Sequence, residues 1–465
     1  MERSARHVLR RRAAAHQHRA DLHPQEAGAA ARRADRVPRR REPRHRHRDD
    51  QRGARGRRRD RRDFPRPEGS RGGRHAHRRD GGAELSETVL RNARIVMAGE
   101  VVHGTLQASG GLIQSVAEGN GLAGADLEGD LLVPGLIELH TDNFERHLMP
   151  RPKVRWPELP ALFGHDAEIA AAGITTVYDA LGLGDLGLEG LRGQDMGSVL
   201  RAIDEASEKG LLRADHKLHV RCELPAPNLM ELFQPFRGNR RVGLLSVMDH
   251  TPGQRQWENL EHAKVYYCGK KGWSEHQFMK SVEQAREKQE RYAVPHRKYF
   301  VSYARENSIP LASHDDTLPE HVEQARAEGV AISEFPTRVE AARAARESGL
   351  SIVMGAPNVV RGGSHSGNVA AVELARLRLL DTLSSDYVPA SLMLAAFRLV
   401  DAAGFSVPEA VATVSRNPAR ALGLSDRGEI APGLRADLVQ VRLVGDAPAQ
   451  QPVVRAVWRE GRRVV

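Results

Sequence analysis

Six residues of the kinds that hold catalytic metals sit at the ends of five separate apolar runs in this 465-residue chain: His140, Asp142, Glu223, His250, His314 and Asp386. His140 and Asp142 are two apart in IELHTD (137–142), so on a strand they share a face. Glu223 ends LHVRCE (218–223), with the same parity as His219 and Arg221. His250 ends LLSVMDH (244–250), His314 lies in PLASHD (310–315) and Asp386 ends LSSD (383–386). Imidazole and carboxylate donors without thiolate favour Zn, Mn, Fe or Co and do not choose among them; one divalent ion or two is expected, with Zn as the first expectation. Such a centre suits hydrolysis, because the cation lowers the pKa of water and a carboxylate can take its proton. One histidine at a strand end is usually a hydrogen-bonded structural residue. Six candidates on five runs point to a site.

Something must bring those ends together. TTVYDA (175–180), AISEF (331–335) and SIVMGA (351–356) raise the count of strand-like runs to eight, alternating with amphipathic helical stretches between 135 and 415. That alternation predicts an α/β fold, a (β/α)8 TIM barrel whose strand ends form a common mouth. β texture recurs at both chain ends, in VLRNARIVM (89–97), GLIQSVAEG (111–119), ADLVQVRLV (436–444) and VVRAVWREGRRVV (453–465). Residues 86–134 and 416–465 are therefore expected to form one small β-sandwich domain. Between His250 and Pro310 lies a long connection containing HAKVYYCGKKGWSEHQFMK. Such an insertion after a barrel strand is expected to build the substrate site.

The net charge of +10 suggests a nucleic-acid binder until its distribution is considered. Residues 1–80 contain 27 Arg, no Lys and 11 acidic residues, whereas the other 385 carry 43 basic against 49 acidic. Residues 1–85, rich in Arg and His, lack the apolar pattern of a packed core and are expected to be a disordered leader, either inert or the product of a misplaced start. The body is mildly acidic. Nucleic acid is thus not expected as a partner. Two cysteines, Cys222 and Cys268, cannot make a disulfide framework and fit a reducing, cytoplasmic setting. No apolar run reaches the about 18 residues of a membrane span.

VPGLIELHTDN (133–143), GITTVYDA (173–180), SRNPARALGL (415–424) and GEIAPGLRADLV (428–439) resemble the amidohydrolase superfamily. The resemblance implies a metal-bearing barrel beside a β-sandwich made of the chain ends, and an aspartate at the end of strand eight as general base, here Asp386. The superfamily's first-strand His-x-His is replaced by His140-Thr-Asp142, and its usual strand-four lysine is missing, which makes Glu223 the candidate bridging ligand. HTDNFERHLMPRPKVRWP (140–157), HVRCELP (219–225), VMDHTPGQRQ (247–256), ASHDDT (312–317), MGAPNVVRGGSHSGNV (354–369) and SSDYVPASLM (384–393) are closely similar to one branch, the phosphonate-metabolism M family of the C–P lyase pathway. That likeness covers about residue 88 to the C-terminus. It implies hydrolysis of α-D-ribose 1-methylphosphonate 5-triphosphate to the 5-phosphate and pyrophosphate, and a functional link to other C–P lyase pathway proteins.

Basic residues suited to a triphosphate lie near the predicted mouth. Arg151, Lys153 and Arg155 alternate after the first strand, and Lys270 and Lys271 sit in the long connection. In RGGSHSGN (361–368), Arg361, Ser364 and His365 could join backbone N–H groups around an anion. Asp315 and Asp316 beside His314 could orient it. Competing readings are an amidohydrolase acting on a C–N bond (a deaminase or cyclic amidase), and a non-catalytic or RNA-binding component; a homo-oligomer is compatible with each. Removing residues 1–85 is expected to lower retention on immobilised RNA while leaving pyrophosphate release unchanged, which a paired binding and turnover assay checks.

Overall fold

The computed structural model describes residues 87–151, 154–184, 196–364, 367–447 and 450–465, so the expected leader, Lys153 and His365 lie outside it. Five strands come first: β1 (Thr88–Val96), β2 (Val101–Ser109), β3 (Leu112–Glu118), β4 (Ala125–Asp126) and β5 (Leu131–Pro134). Eight follow: β6 (Leu136–Thr141), β7 (Ile174–Leu183), β8 (Asp215–Glu223), β9 (Val242–Met248), β10 (Leu311–His314), β11 (Ile332–Glu334), β12 (Ser351–Gly355) and β13 (Thr382–Ser384). The last three are β14 (Leu438–Val444), β15 (Gln451–Arg459) and β16 (Arg462–Arg463).

The first five and last three strands form one sheet in the order β16-β15-β14-β5-β1-β2-β3, with β4 paired to β1. Both faces of this sheet are apolar, for different reasons. Leu132, Leu438, Ala456 and Trp458 join Leu90, Ile95 and Leu106 in the sheet's own core. Their neighbours Leu131, Val133, Val439, Val441 and Val457 point the other way, into the core that surrounds the barrel. A bridge between Leu112 and Arg435 ties β3 to the chain just before β14, so the sheet folds over its core.

The barrel strands are ordered β6 to β13 in sequence, each parallel to the next, as the eight strand-like runs predicted. No extended ladder closes β13 onto β6. A single parallel bridge, Thr141 to Asp386, does so at the rim, where Asp386 N donates to His140 O at 3.1 Å and Asp142 N donates to Asp386 O at 3.2 Å. Below it the buried Glu138 carboxylate accepts from His140 N and Ser385 N, both at 2.6 Å. A side chain thus laces a seam that backbone pairing leaves open.

Inside the barrel, Ile137, Leu139, Tyr178, Leu244, Ala312, Ile332 and Val353 form an apolar plug, capped from below by Ala419 and Leu422. Truncating one of its large aliphatic members would cost about 2–5 kcal/mol. Polar residues begin above the plug. On β6 the change requires a break in parity, and the register with β7 shifts between Glu138 and Thr141. Such a bulge re-aims side chains, so that His140 follows the inward-facing Leu139 into the mouth. Asp315, Phe335 and Asp386, each just past a strand end, have φ of 55°, 53° and 55°. Their amides reach Glu334 O, Val353 O and His140 O at 2.9, 2.9 and 3.1 Å. Left-handed backbone costs a non-glycine residue of order 1–3 kcal/mol, and it persists where surrounding contacts dictate it.

Outside the barrel, between the helix Glu158–Ala171 and β7–β8, lies a wholly buried polar cluster. Asp179 accepts from His165 Nε2 at 2.7 Å and from His216 Nδ1 at 2.8 Å, and Asp166 lies 3.3 Å from His216 Nε2. His165, Asp179 and His216 could hold a metal by type, but their donor atoms are already in hydrogen-bond contact. Burial alone would push the His216 imidazole down; the Asp179 and Asp166 carboxylates outweigh it and hold the group up to about 9. His216, charged between two carboxylates, therefore stabilises the fold fully below its unfolded pKa of about 6.5 and loses that contribution as pH rises toward its folded value. His216→Gln is expected to destabilise the protein by about 3–5 kcal/mol at pH 6. Denaturant titrations across pH 6.5–9 should show the difference from wild type shrinking.

Candidate active site

All six sequence candidates come to the C-terminal mouth of the barrel. His140, Asp142, His250, His314 and Asp386 line one cavity of about 500 Å³. Glu223, expected as the bridging ligand, is not among the cavity's lining residues: at the end of β8 its carboxylate takes His250 Nδ1 at 2.5 Å and His250 N at 2.9 Å, which places it as a partner of His250. The cavity also receives Asp315, from just past β10.

His250 Nε2 and His314 Nε2 lie 3.7 and 3.5 Å from Asp315 Oδ2, and these three residues form a group that could hold a metal ion. Behind the histidines lies Glu334, the last residue of β11, fully buried. It meets His140 Nδ1 at 2.8 Å and His314 Nδ1 at 3.4 Å. A carboxylate against Nδ1 fixes the ring orientation of a metal-binding imidazole. His140, His219 and Glu334 form a second candidate group, yet both ring nitrogens of His219 are occupied. Its Nδ1 is 2.9 Å from Leu139 O, which can only accept, so its Nε2 must accept from the Ser246 hydroxyl at 2.6 Å. Burial pushes this imidazole down to about 3, keeping it neutral. His219 is a strut under the site.

Charge crowding characterises the mouth. Burial, and then the neighbouring Asp142, raise the Asp386 carboxyl to about 7. Burial does the same to Asp315, against the opposing charges of His250, Arg255 and Arg221. Glu334 is raised by burial, but its interactions with His219 and His314 and the charge of Arg221 outweigh that and leave it below the ordinary range. Two carboxyls held up beside three imidazoles, with no thiol, make a donor set that a divalent cation fits.

The long connection after β9 contributes Gln256, Trp257, Tyr266 and Lys270 to the cavity wall. It is built by the helices Leu260–Lys271 and Glu275–Glu306. Asn259 caps the first through Glu261 N, and a Ser274–Gln277 capping box starts the second. Opposite stand Asn358, Arg361, Gly363, Ser364 and Asn368. Of the predicted anion-binding residues, Lys270, Arg361 and Ser364 thus face the cavity. Arg151, Arg155 and Lys271 are not among its lining residues: Arg155 pairs with Glu158 at 2.8 Å, and Lys271 lies over the Trp273 ring, 4.7 Å from its centroid. Arg155 and Lys271 are thus engaged elsewhere, and neither described base of the alternating set, Arg151 or Arg155, lines the cavity.

Sequence reasoning missed Arg221 and Glu334. Glu334 ends the sixth strand-like run, the same signal that picked out His314, and Arg221 shares the face of Glu223.

The amidohydrolase family profile matches residues 319–465. The α-D-ribose 1-methylphosphonate 5-triphosphate diphosphatase of Escherichia coli is 46% identical over 380 residues, covering 81% of this chain and all of that protein. The chain belongs to that diphosphatase's branch of the amidohydrolase family. An imidazolonepropionase from Deinococcus deserti is 26% identical over 364 residues, covering 73% of this chain and 85% of its own length. Among solved structures, a 5-methylcytosine deaminase from Klebsiella pneumoniae superposes with TM-score 0.54 at 16% identity, covering 81% of this chain and 98% of that one. This likeness shows the shared fold.

A ligand that binds only the folded state stabilises it. Adding Zn²⁺ at about a hundred times its Kd is expected to raise the unfolding free energy by about 2.7 kcal/mol. The thermal midpoint should rise in the wild type and stay fixed in a His250→Ala/His314→Ala double variant, as read by differential scanning fluorimetry.

Proposed function

We propose that this protein hydrolyses α-D-ribose 1-methylphosphonate 5-triphosphate to the 5-phosphate and pyrophosphate, in phosphonate breakdown within the cytoplasm. The observation that carries this reading is one cavity lined both by buried carboxylates and imidazoles and by the cationic groups Lys270 and Arg361, in a chain 46% identical to the E. coli diphosphatase. His140, Asp142, His250, His314 and Asp386 are the metal-facing residues, Asp315 joins them, and Glu223 and Glu334 orient the histidines. One or two divalent ions, Zn first among the candidates, supply Lewis acidity toward a phosphoryl oxygen and toward water.

The chain's own groups do the rest. Asp386, buried beside Asp142 and anchored by backbone at the barrel seam, accepts a proton from the attacking water. The water oxygen bonds to phosphorus in the α–β anhydride as the bridging P–O bond breaks, and pyrophosphate leaves with the bonding electrons. Lys270, Arg361 and Ser364 bind the polyanion in the cavity.

Asp386→Asn keeps size and removes the base. With metal content unchanged, it is expected to lower kcat about 10²–10⁴-fold in an assay of pyrophosphate released from the ribose triphosphate. Near-normal turnover would assign the proton to another group. Failure of the wild type to release pyrophosphate, together with hydrolysis of a cyclic amide, would favour C–N chemistry.

A further inference from the structure

Arg221 is the most unusual charged residue of the mouth. It lies on β8 between His219 and Glu223, is 7% exposed, and lines the cavity beside Asp142 and Asp386. Its Nε is buried with no hydrogen-bond partner. Among the described residues its guanidinium makes no hydrogen bond and no ion pair within 4 Å, although Asp386, Asp315 and Glu334 all feel its charge. The neighbours in register explain why nothing covers it. Gly182 on β7 has no side chain, and Ser246 on β9 gives its hydroxyl to His219.

Leaving a buried cation with its donors unmade is costly, and such an arrangement calls for a partner that arrives from outside. A planar fork of N–H donors matches two oxygens of a phosphoryl group. The position adds a further constraint. Arg221 is carried by barrel strand β8 and is buried, whereas Lys270 and Arg361 are exposed residues of the helices Leu260–Lys271 and Ala356–Arg361, and all three line the cavity. The cavity therefore offers one buried cation on the barrel and two exposed ones on the surrounding helices.

We propose that Arg221 is a catalytic phosphate clamp, whose guanidinium grips the phosphoryl group under attack while Lys270 and Arg361 hold the more distal charges of the substrate. This rests on the triphosphate reading above. The fork holds two non-bridging oxygens as negative charge redistributes over phosphorus, and it aligns the scissile P–O bond with the water near Asp386. Its rival is a purely structural role, in which Arg221 offsets the crowded carboxylates.

The test uses the full chain loaded with metal, as wild type, Arg221→Gln and Arg221→Lys. Inorganic tripolyphosphate binding is measured by calorimetry, beside bound-metal content, thermal midpoint, and kcat and KM for the ribose triphosphate. The clamp predicts tripolyphosphate binding weakened about 10–100-fold in Arg221→Gln, kcat falling more than KM rises, and unchanged metal content and midpoint. Arg221→Lys should recover part of the binding and little of kcat, since a point charge cannot replace a fork. The proposal is overturned if Arg221→Gln binds tripolyphosphate like wild type, or if it loses metal and melts early while Arg221→Lys restores both. Lack of tripolyphosphate binding by the wild type also overturns it. If the wild type binds tripolyphosphate through Arg221 yet releases no pyrophosphate from the ribose triphosphate, the clamp stands and the substrate assignment fails.

Discussion

Negative charge held out of water governs this molecule. Asp142, Asp315, Asp386, Glu223 and Glu334 gather at one end of a barrel whose interior is otherwise apolar, and burial, joined by repulsion from neighbouring carboxylates, raises Asp315 and Asp386 to about 7. Like charges cannot be assembled in such a place unless imidazoles, a guanidinium or bound cations offset them. The rest of the mouth answers that requirement. Glu334 is shared between two histidines, Glu223 is turned onto His250, and Arg221 stands in the middle without a direct partner. A surface built this way is unfinished without cations below and an anion above.

The fold was legible in the sequence because the barrel strands are largely buried, and therefore appear as short apolar runs, most of them with His, Glu or Asp at or near the end. All eight runs are strands. The site was legible to the extent that chemistry coincides with a strand end. His140, His314 and Asp386 met that condition. Glu334 also met it, but the run AISEF is short and offers no second ligand to draw notice. Arg221 could not be distinguished from a salt-bridged core arginine, because its isolation depends on Gly182 and Ser246, which neighbour it only after the sheet forms. Arg155 and Lys271 do not line the cavity for the opposite reason: partners two or three residues along the chain, Glu158 and Trp273, engage them. The position of Lys270 on the cavity wall follows from a helix start at Asn259, a local signal whose consequence is remote.

Two buried ionic clusters serve different ends. At the mouth, opposite charges are left incompletely matched. Behind β7, Asp179 and Asp166 meet His216 and His165 at hydrogen-bond distance, with no donor left for a ligand. Similar residue types thus make a latch in one place and a receptor in the other. Asn143 links the two regions, since its amide lies 3.0 Å from His165 Nδ1 while the residue directly follows Asp142. The latch accordingly braces the first helix after β6, and with it one wall of the mouth.

The left-handed turns at Asp315, Phe335 and Asp386 have a consequence for change over time. Each residue is fixed by its own amide, bonded across to a neighbouring strand, and its side chain plays no part in that anchoring. The address is written in the main chain and the message in the side chain. A lineage can therefore exchange one ligand for another at these stations without redrawing the barrel, which suits a scaffold shared by proteins of such different named activities as a deaminase and a diphosphatase.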